Sequence, residues 1–599
     1  MTQSGARTGS TVVRPRRVFW GAIAALLALL ACAVAVLELV QRPGTPPEPP
    51  GAAPLGSVSY SAPRDALFVS VVGSDSAPGT KARPLATVQR AITIARSGQT
   101  IVLRAGTYHE RVTVTKDKTV TIQPYRREVV WFDGSIVVEG WKRAGALWSV
   151  DGWAARFDSS PTYKRGAPDN TEPGWVFLNP DYSFAANPEQ VWIDGTSQRQ
   201  VATVADVTPG TFAVDEAASK IYLGSDPTGR EVRASDKVKA LSVQSKDSIL
   251  RGVGVRRYAT SVPGFGTVTV EAKGVRLENM IIEDNATTGL FVAAADAVVS
   301  HVTVRDNGLL GMGANYADRL RVTGLASSGN NLEHFNNAPV SGGLKITRSR
   351  GVTIERSRFA ENAGPGVWFD QSVYDSNVVG NDIHGNRGHG LILEISAKFV
   401  VAGNRIFDNR DSGIKVNDTS NVQIWNNTVT TNGRDLSVVQ DDRRASDPTI
   451  PGHDRRPGLA SDEMPWVVGA VTVKNNVFSG AKADCVVCVE DYSGQMTAKQ
   501  MGVILDGNAY QRQSAASPRW LVVWSRGQGS PHTYRSLKAF QAAARQEKHG
   551  AELSFESARE ASWRQSETDR AAATGVGRLP KPISALLQWE DPAPAVGVK

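Results

Sequence analysis

Cysteine is scarce: three in 599 residues, of which only Cys485 and Cys488 lie close enough to form a C-x-x-C pair. No second pair and no His cluster completes a zinc site around it, so a disulfide is the simpler reading outside the cytoplasm. The body of the chain has no strong excess of one charge. The formal net charge is +8, but Arg7, Arg14, Arg16, Arg17 and Arg42 gather at the N-terminus, which argues for a topology signal and against a nucleic-acid surface. Long apolar runs are also missing, with one exception at residues 18–37, VFWGAIAALLALLACAVAVL.

That run is long enough to cross a hydrocarbon core of about 30 Å as a helix, and four arginines precede it. The expectation is a cytoplasmic tail over 1–17, a transmembrane anchor over 18–40 and an exported remainder. A cleaved signal peptide would have a shorter apolar core, and the Ala-x-Ala matches between Ala31 and Ala35 fall inside the run. Cys32 follows Leu-Leu-Ala as in a lipoprotein processing site, yet the residues after it stay apolar. Residues 41–57 are Pro-rich and predict an extended spacer.

What is present in abundance is a repeat. Between Gly274 and Arg443 one pattern recurs about every 23 residues, within the range of solenoids. Asn285, Asn362, Asn386 and Asn409 are each followed four places later by Gly, and Asn307 and Asn432 hold the same place more loosely. A second Asn column runs through Asn381, Asn404, Asn427 and Asn476. After each turn comes a four-residue strand with apolar first and third positions, as in Leu344-Lys-Ile-Thr347, Val367-Trp-Phe-Asp370 and Leu391-Ile-Leu-Glu394. Alternation of period two puts one face inward and one outward. Stacked coils with Asn corners and a Val/Ile/Leu interior make a parallel β-helix, whereas the Leu/Asn spacing of leucine-rich repeats is absent.

Upstream, Phe68 to Val72 reads as a strand, Gly73 to Thr80 as a turn, Pro84 to Ala95 as an amphipathic helix, and Gly98 to Tyr108 as strand and turn. The run from Gly73 through Tyr108 resembles the N-terminal cap of right-handed parallel β-helix proteins of the pectate-lyase-like superfamily, in which a helix plugs the first coil. The resemblance implies an all-β fold: cap and first rungs over 58–140, an inserted small β domain over 141–236, the helix proper over 237–510, and a C-terminal strand and helix cap with tail over 511–599. That superfamily holds polysaccharide lyases, glycoside hydrolases, uronan epimerases and non-catalytic repeat proteins, so fold alone does not choose the reaction. The dense Asp clusters of its calcium-dependent lyases are missing here. The Asp-Pro-His-Asp motif of its epimerases is present only as the partial echo Pro451-Gly-His-Asp454.

Outward positions carry the candidate chemistry. One file of fourth strand positions reads Asn315, Thr347, Asp370, Glu394, Asn417, Gln440; the file of second positions contains Lys345, Trp368, Ile392 and Lys415. Rungs stand about 4.8 Å apart, which stacks Asp370 on Glu394. Two such carboxylates repel, raising the pKa of one and leaving the other ionised. A retaining glycosidase needs carboxyls roughly 5–5.5 Å apart, so Asp370 and Glu394 are the candidate catalytic pair, with Lys345 and Lys415 flanking them. A lyase could instead hold Ca²⁺ on the two carboxylates and use a lysine as base; otherwise no metal or cofactor is expected. Trp368, Asn315, Asn417, Gln440, His334 and His389 are candidate substrate contacts, His389 having a hydrogen-bonded turn histidine as its default reading. Of Trp141, Trp148, Trp153, Trp175 and Trp192, any one is more readily core of the small β domain than a sugar platform. The sequence thus predicts a membrane-anchored extracytoplasmic protein that binds a polysaccharide and cleaves it by hydrolysis. Uronan β-elimination and non-catalytic cell-wall binding are the alternatives.

Overall fold

The structure, a computed structural model, describes residues 49–456, 463–553, 579–588 and 597. The expected anchor over 18–40 lies outside them, and no helix among the described residues is long and apolar enough to cross a membrane.

Three sheets of 13 strands each build the coil, parallel throughout except where His532–Tyr534 runs antiparallel to Trp520–Trp524 at the end of one. A typical turn runs from strand Val367–Asp370 in the first sheet to Tyr374–Val379 in the second and Asp382–His384 in the third, then returns to Leu391–Glu394. Alternation decides which side chains enter. Met312, Leu344, Val367, Leu391, Ile414 and Leu436 stack in register inside and are essentially inaccessible. Both Asn columns are buried ladders. In the first, each side-chain amide donates to the next Oδ1 at 2.8–2.9 Å from Asn285 through Asn307, Asn330, Asn362, Asn386 and Asn409 to Asn432. The second runs from Asn381 through Asn404, Asn427 and Asn476 to Asn508 and ends on the carboxylate of Glu547. Asn330 was invisible to the repeat because its rung is lengthened by the segment around Asn337–Val340.

The helix expected over Pro84 to Ala95 is confined to Val88–Ile94, since Leu85 bridges to Val69. Thr87 caps helix Val88–Ile94 by accepting from Arg90 N–H, and Val88, Ala91 and Ile92 enter the core. Glu110 accepts from the free N–H groups of Val88 and Gln89 at the helix start, where a carboxylate is favoured. At the far end, helix Leu537–Ala544 packs Phe540 on Trp524, with ring centroids 5.1 Å apart. Cys485 and Cys488 are joined within strand Cys485–Asp491.

Three expectations shift. The spacer is not free to residue 57: the N–H groups of Gly51, Ala52 and Ala53 donate to Gly324 O, Thr303 Oγ1 and Asn279 Oδ1, so the chain is docked along the coil's corners from Gly51 on. Small side chains let that backbone approach closely. The small β domain is an eight-stranded sheet between Ser135–Val137 and Val232–Ser235. The register of the last predicted rung slips by one, pairing Asn417 with Val439 and Lys415 with Ser437, because strand Arg434–Gln440 starts earlier than the apolar pattern suggests. Gln440 therefore leaves the outward file.

Candidate active site

Asp370 and Glu394 occupy successive places on neighbouring strands, one residue beyond the Phe369–Leu393 pairing, and both face outward. They line one cavity of about 360 Å³ on the first sheet. Its walls come from three segments: Trp175 of the small β domain, Pro339 of the lengthened rung, and Ile450 and Pro451 of a strap that follows Gln440. Asn336 ties the first two walls together by donating to Val176 O and Leu178 O. Arg350 to Asp454, at 2.6 Å, and Arg456 to Asp318, at 2.7 Å, pin the strap to the corners of earlier rungs.

The pair is held by fixed cations and an indole. Lys345 Nζ lies 2.7 Å from Asp370 Oδ2, donates to Pro339 O and stands 3.4 Å from the centroid of the Trp368 ring. Trp368 Nε1 donates to Glu394 Oε2 at 2.9 Å, while Arg443 donates to Glu394 Oε1 at 2.7 Å and also reaches Asp418 and Asp441. Burial pushes the Asp370 carboxyl up, opposed by the Lys345 charge and helped by Glu394. Burial acts on Glu394 too, but the charges of Arg443 and Lys415 outweigh it and hold Glu394 below the usual carboxylate range. The two acids are thereby pushed apart, as an acid/base pair requires.

The remaining candidates divide. Asn315 sits beside the cavity, in an adjoining hollow that also contains Lys345 and Gln371. Lys415 is one rung past Ile392 and does not line the cavity; it acts on Glu394 and His389 through its charge. Asn417 is buried and donates to Asp441 at 3.2 Å, so it holds the strap and does not meet a ligand. Gln440 is wholly buried between Asp418, to which it donates at 2.7 Å, and Val468 N–H, and is structural. His334 is turned away onto Tyr182, with centroids 4.3 Å apart. His389 accepts from Ser412 N–H at 3.0 Å, and burial with the nearby Lys415 charge lowers it to about 4, so it is a neutral turn histidine. Trp368 is only 8% exposed and positions Glu394; it is no open platform. Of the tryptophans in the inserted domain Trp175 reaches the cavity, which Trp368 also lines, whereas Trp153 fills the small domain's core with Trp141 and Trp148 packed against it.

A calcium ion does not fit between the carboxylates. Lys345, Trp368 and Arg443 already donate to Asp370 and Glu394, so each carboxylate has a side-chain cation at 2.7 Å to compete with a metal. Among the described residues the one group with metal-holding spacing is Asp484 with Cys485 and Cys488, whose sulfurs are joined. Sequence reasoning gave Arg443, at the end of the repeat, and the charged, Pro-rich excursion after it no part in the site, since their contacts with Glu394 and the cavity do not follow from the repeat. The His453–Asp454 echo proves to be strap architecture: His453 stacks on Trp466 with centroids 4.3 Å apart, and Asp454 serves Arg350 and Arg456.

Comparison with known proteins agrees with this coil. The family described as right handed beta helix region matches residues 266–397 and 324–508. The chain is a right-handed parallel β-helix protein. A family of unknown function, DUF1565, matches the cap at residues 71–115. The solved structure of XylC with xylose superposes with a TM-score of 0.57 at 16% identity, over 74% of this β-helix chain and 83% of that one, a likeness of fold. A mannuronan C5-epimerase of Pseudomonas putida is 28% identical over 234 residues, 36% of this chain and 40% of its own. The uncharacterized protein YwoF of Bacillus subtilis is 40% identical over 77 residues, 12% of this chain and 16% of its own. The β-helix chain thus spans less than half the length of either of these relatives.

Proposed function

We propose that this β-helix protein is a glycoside hydrolase acting on a polysaccharide or its fragments, with Asp370 and Glu394 as the catalytic carboxyl pair. The single observation that carries the reading is the pair itself: two acids on consecutive rungs, facing one cavity and pushed apart in acidity. Rung spacing of about 4.8 Å suits a retaining mechanism, where carboxyls stand roughly 5–5.5 Å apart. One carboxylate attacks the anomeric carbon as the glycosidic C–O bond breaks, and the other carboxyl gives its proton to the leaving oxygen. Water then displaces the enzyme ester, losing its proton to that second group. Trp368 and Lys345 position the pair. The xylose in the XylC complex and the mannuronan in the epimerase's name support a carbohydrate as substrate class.

One observation favours a second reading, β-elimination of an acidic glycan: Arg348 and Arg455 extend the cationic lining along an adjoining cavity of about 740 Å³. Incubating the full chain with neutral glycans and uronans separates the two. Hydrolysis leaves new reducing ends only, whereas elimination leaves an ultraviolet-absorbing unsaturated sugar. Full activity in both Asp370→Asn and Glu394→Gln would remove the assignment of the pair.

The apolar run at 18–37 and the arginines before it support membrane anchoring with the β-helix outside the cytoplasm. On this reading the full chain sediments with membranes, and a chain beginning at Pro49 stays in the supernatant.

A further inference from the structure

Next to the carboxylate cavity, and sharing Lys345, Gln371, Pro339 and Trp175 with it, is a second cavity of about 230 Å³. Tyr163, Phe265, Phe291, Leu310 and Val340 build its apolar end, while Glu172, Asn315, Thr347 and Arg348 supply polar lining elsewhere in it. Gly313 keeps it open from below: a Cβ there would lie 2.6 Å from the Phe291 ring. Phe291, Gly313 and Lys345 are stacked in register, so the aromatic end lies two rungs before Lys345 along the coil.

Phe265 is held against its own preference. It sits at φ +64° and ψ −46°, with Gly266 N–H donating to Gly264 O at 2.9 Å, which closes a γ-turn of positive φ. That conformation is rare for a bulky residue, and such strain gathers at functional sites. What it achieves is placement. The ring lies parallel to Tyr163, tilted by 10° at 5.2 Å, and 5.2 Å from Phe291, yet remains 43% exposed. Among the described residues the Tyr163 hydroxyl has no hydrogen-bond partner, and burial alone acts on it.

We propose that this cavity is the leaving-group site of the enzyme and that it takes an aromatic aglycone carrying an oxygen substituent, which narrows the substrate from a polysaccharide at large to a glycan fragment ending in an aryl group. A sugar ring bears hydroxyls around its rim, and burying them against Phe265, Phe291, Leu310 and Val340 would leave them unpaired at a cost. An aromatic ring has no such need. It stacks at the 4.5–7 Å separations these rings already show among themselves, and its oxygen accepts from the Tyr163 hydroxyl. Continuity through Lys345 and Gln371 puts the sugar over Asp370 and Glu394 and the aglycone over Phe265. This orientation rests on the hydrolase reading of the carboxyl pair.

The test titrates the full chain with 2-naphthol, followed by the probe's fluorescence anisotropy. The wild type is expected to bind saturably. Phe265→Gly, which suits φ +64° and spares the backbone, weakens binding by about tenfold, the loss of one stacked ring and its buried area. Tyr163→Phe keeps the ring and removes the donor, weakening binding by about threefold. Glu394→Gln, whose side chain does not line this cavity, binds 2-naphthol as the wild type does, so a failure of the hydrolase reading, seen as full activity in Asp370→Asn and Glu394→Gln, is distinct from a failure here. Absence of saturable binding to the wild type, or equal binding by wild type and Phe265→Gly, overturns the proposal. With a hydrolysable sugar in hand, Phe265→Gly lowers kcat/KM for the 2-naphthyl glycoside more than for the methyl glycoside; equal losses on both overturn it as well.

Discussion

Trp368 and Glu394 are joined across one rung of the coil by a 2.9 Å hydrogen bond from the indole Nε1 to Oε2. Because the same indole carries Lys345 on its face, 3.4 Å from the centroid, one ring sets the position of both a carboxylate and an ammonium. Trp368→Phe keeps a ring beneath Lys345 and removes the donor. The expected result is a fall in kcat of about tenfold, the scale of one hydrogen bond to a charged acceptor, with a smaller change in KM. Steady-state kinetics read it directly.

Lys345 and Asp370 form an ion pair in which both side chains are less than a tenth exposed. Removing one partner leaves a buried charge without its counterion, at a cost of about 3–5 kcal/mol. Lys345→Met and Asp370→Asn should therefore each lower the denaturant midpoint. The double variant should recover much of the loss, since a well-packed neutral replacement of a buried pair is often nearly neutral. Additive losses in a double-mutant cycle would contradict this account.

Arg443 bridges Glu394, Asp418 and Asp441 and is the strongest of the cations, Lys415 and Lys345 among them, that keep Glu394 acidic. A depressed folded pKa contributes stability above the ordinary carboxylate range and loses it as pH falls through the folded value. Arg443→Lys retains a charge but cannot span three carboxylates. Glu394 then moves up, so the acidic limb of the kcat/KM profile shifts to higher pH, each unit costing about tenfold of the ionised form on that side. An unmoved limb would show that Arg443 does not tune the pair.

Glu547 ends the second Asn ladder, accepting from Asn508 N–H, its side-chain amide and the Tyr510 hydroxyl, and burial raises it to about 7. A carboxyl raised on folding favours the native state while protonated. Stability should thus decline as pH climbs from the unfolded carboxylate value through about 7, by on the order of 3 kcal/mol in all. Glu547→Gln should flatten that decline in urea melts collected across the window.

Much of this molecule could be read without coordinates because its determinants are local and repeated. Period-two alternation fixed which face of each strand turns inward, and the Asn spacing fixed the corners, so the stacking of Asp370 on Glu394 followed from counting along the chain. Counting failed where the period broke. The lengthened rung hid Asn330, and the early start of strand Arg434–Gln440 moved Gln440 out of its file and into the interior.

The sequence by itself determined the coil, its buried ladders and the placement of two acids on neighbouring rungs, since each depends on residues one turn apart. Only the tertiary structure decided what surrounds them. Trp175, Pro339 and the strap after Gln440 reach the cavity from segments outside the repeat, and Arg443 meets Glu394 after a chain separation that no periodicity encodes. A solenoid specifies its own rungs by nearest-neighbour stacking, whereas walls built from insertions are placed by packing and ion pairs that have no counterpart in the repeat.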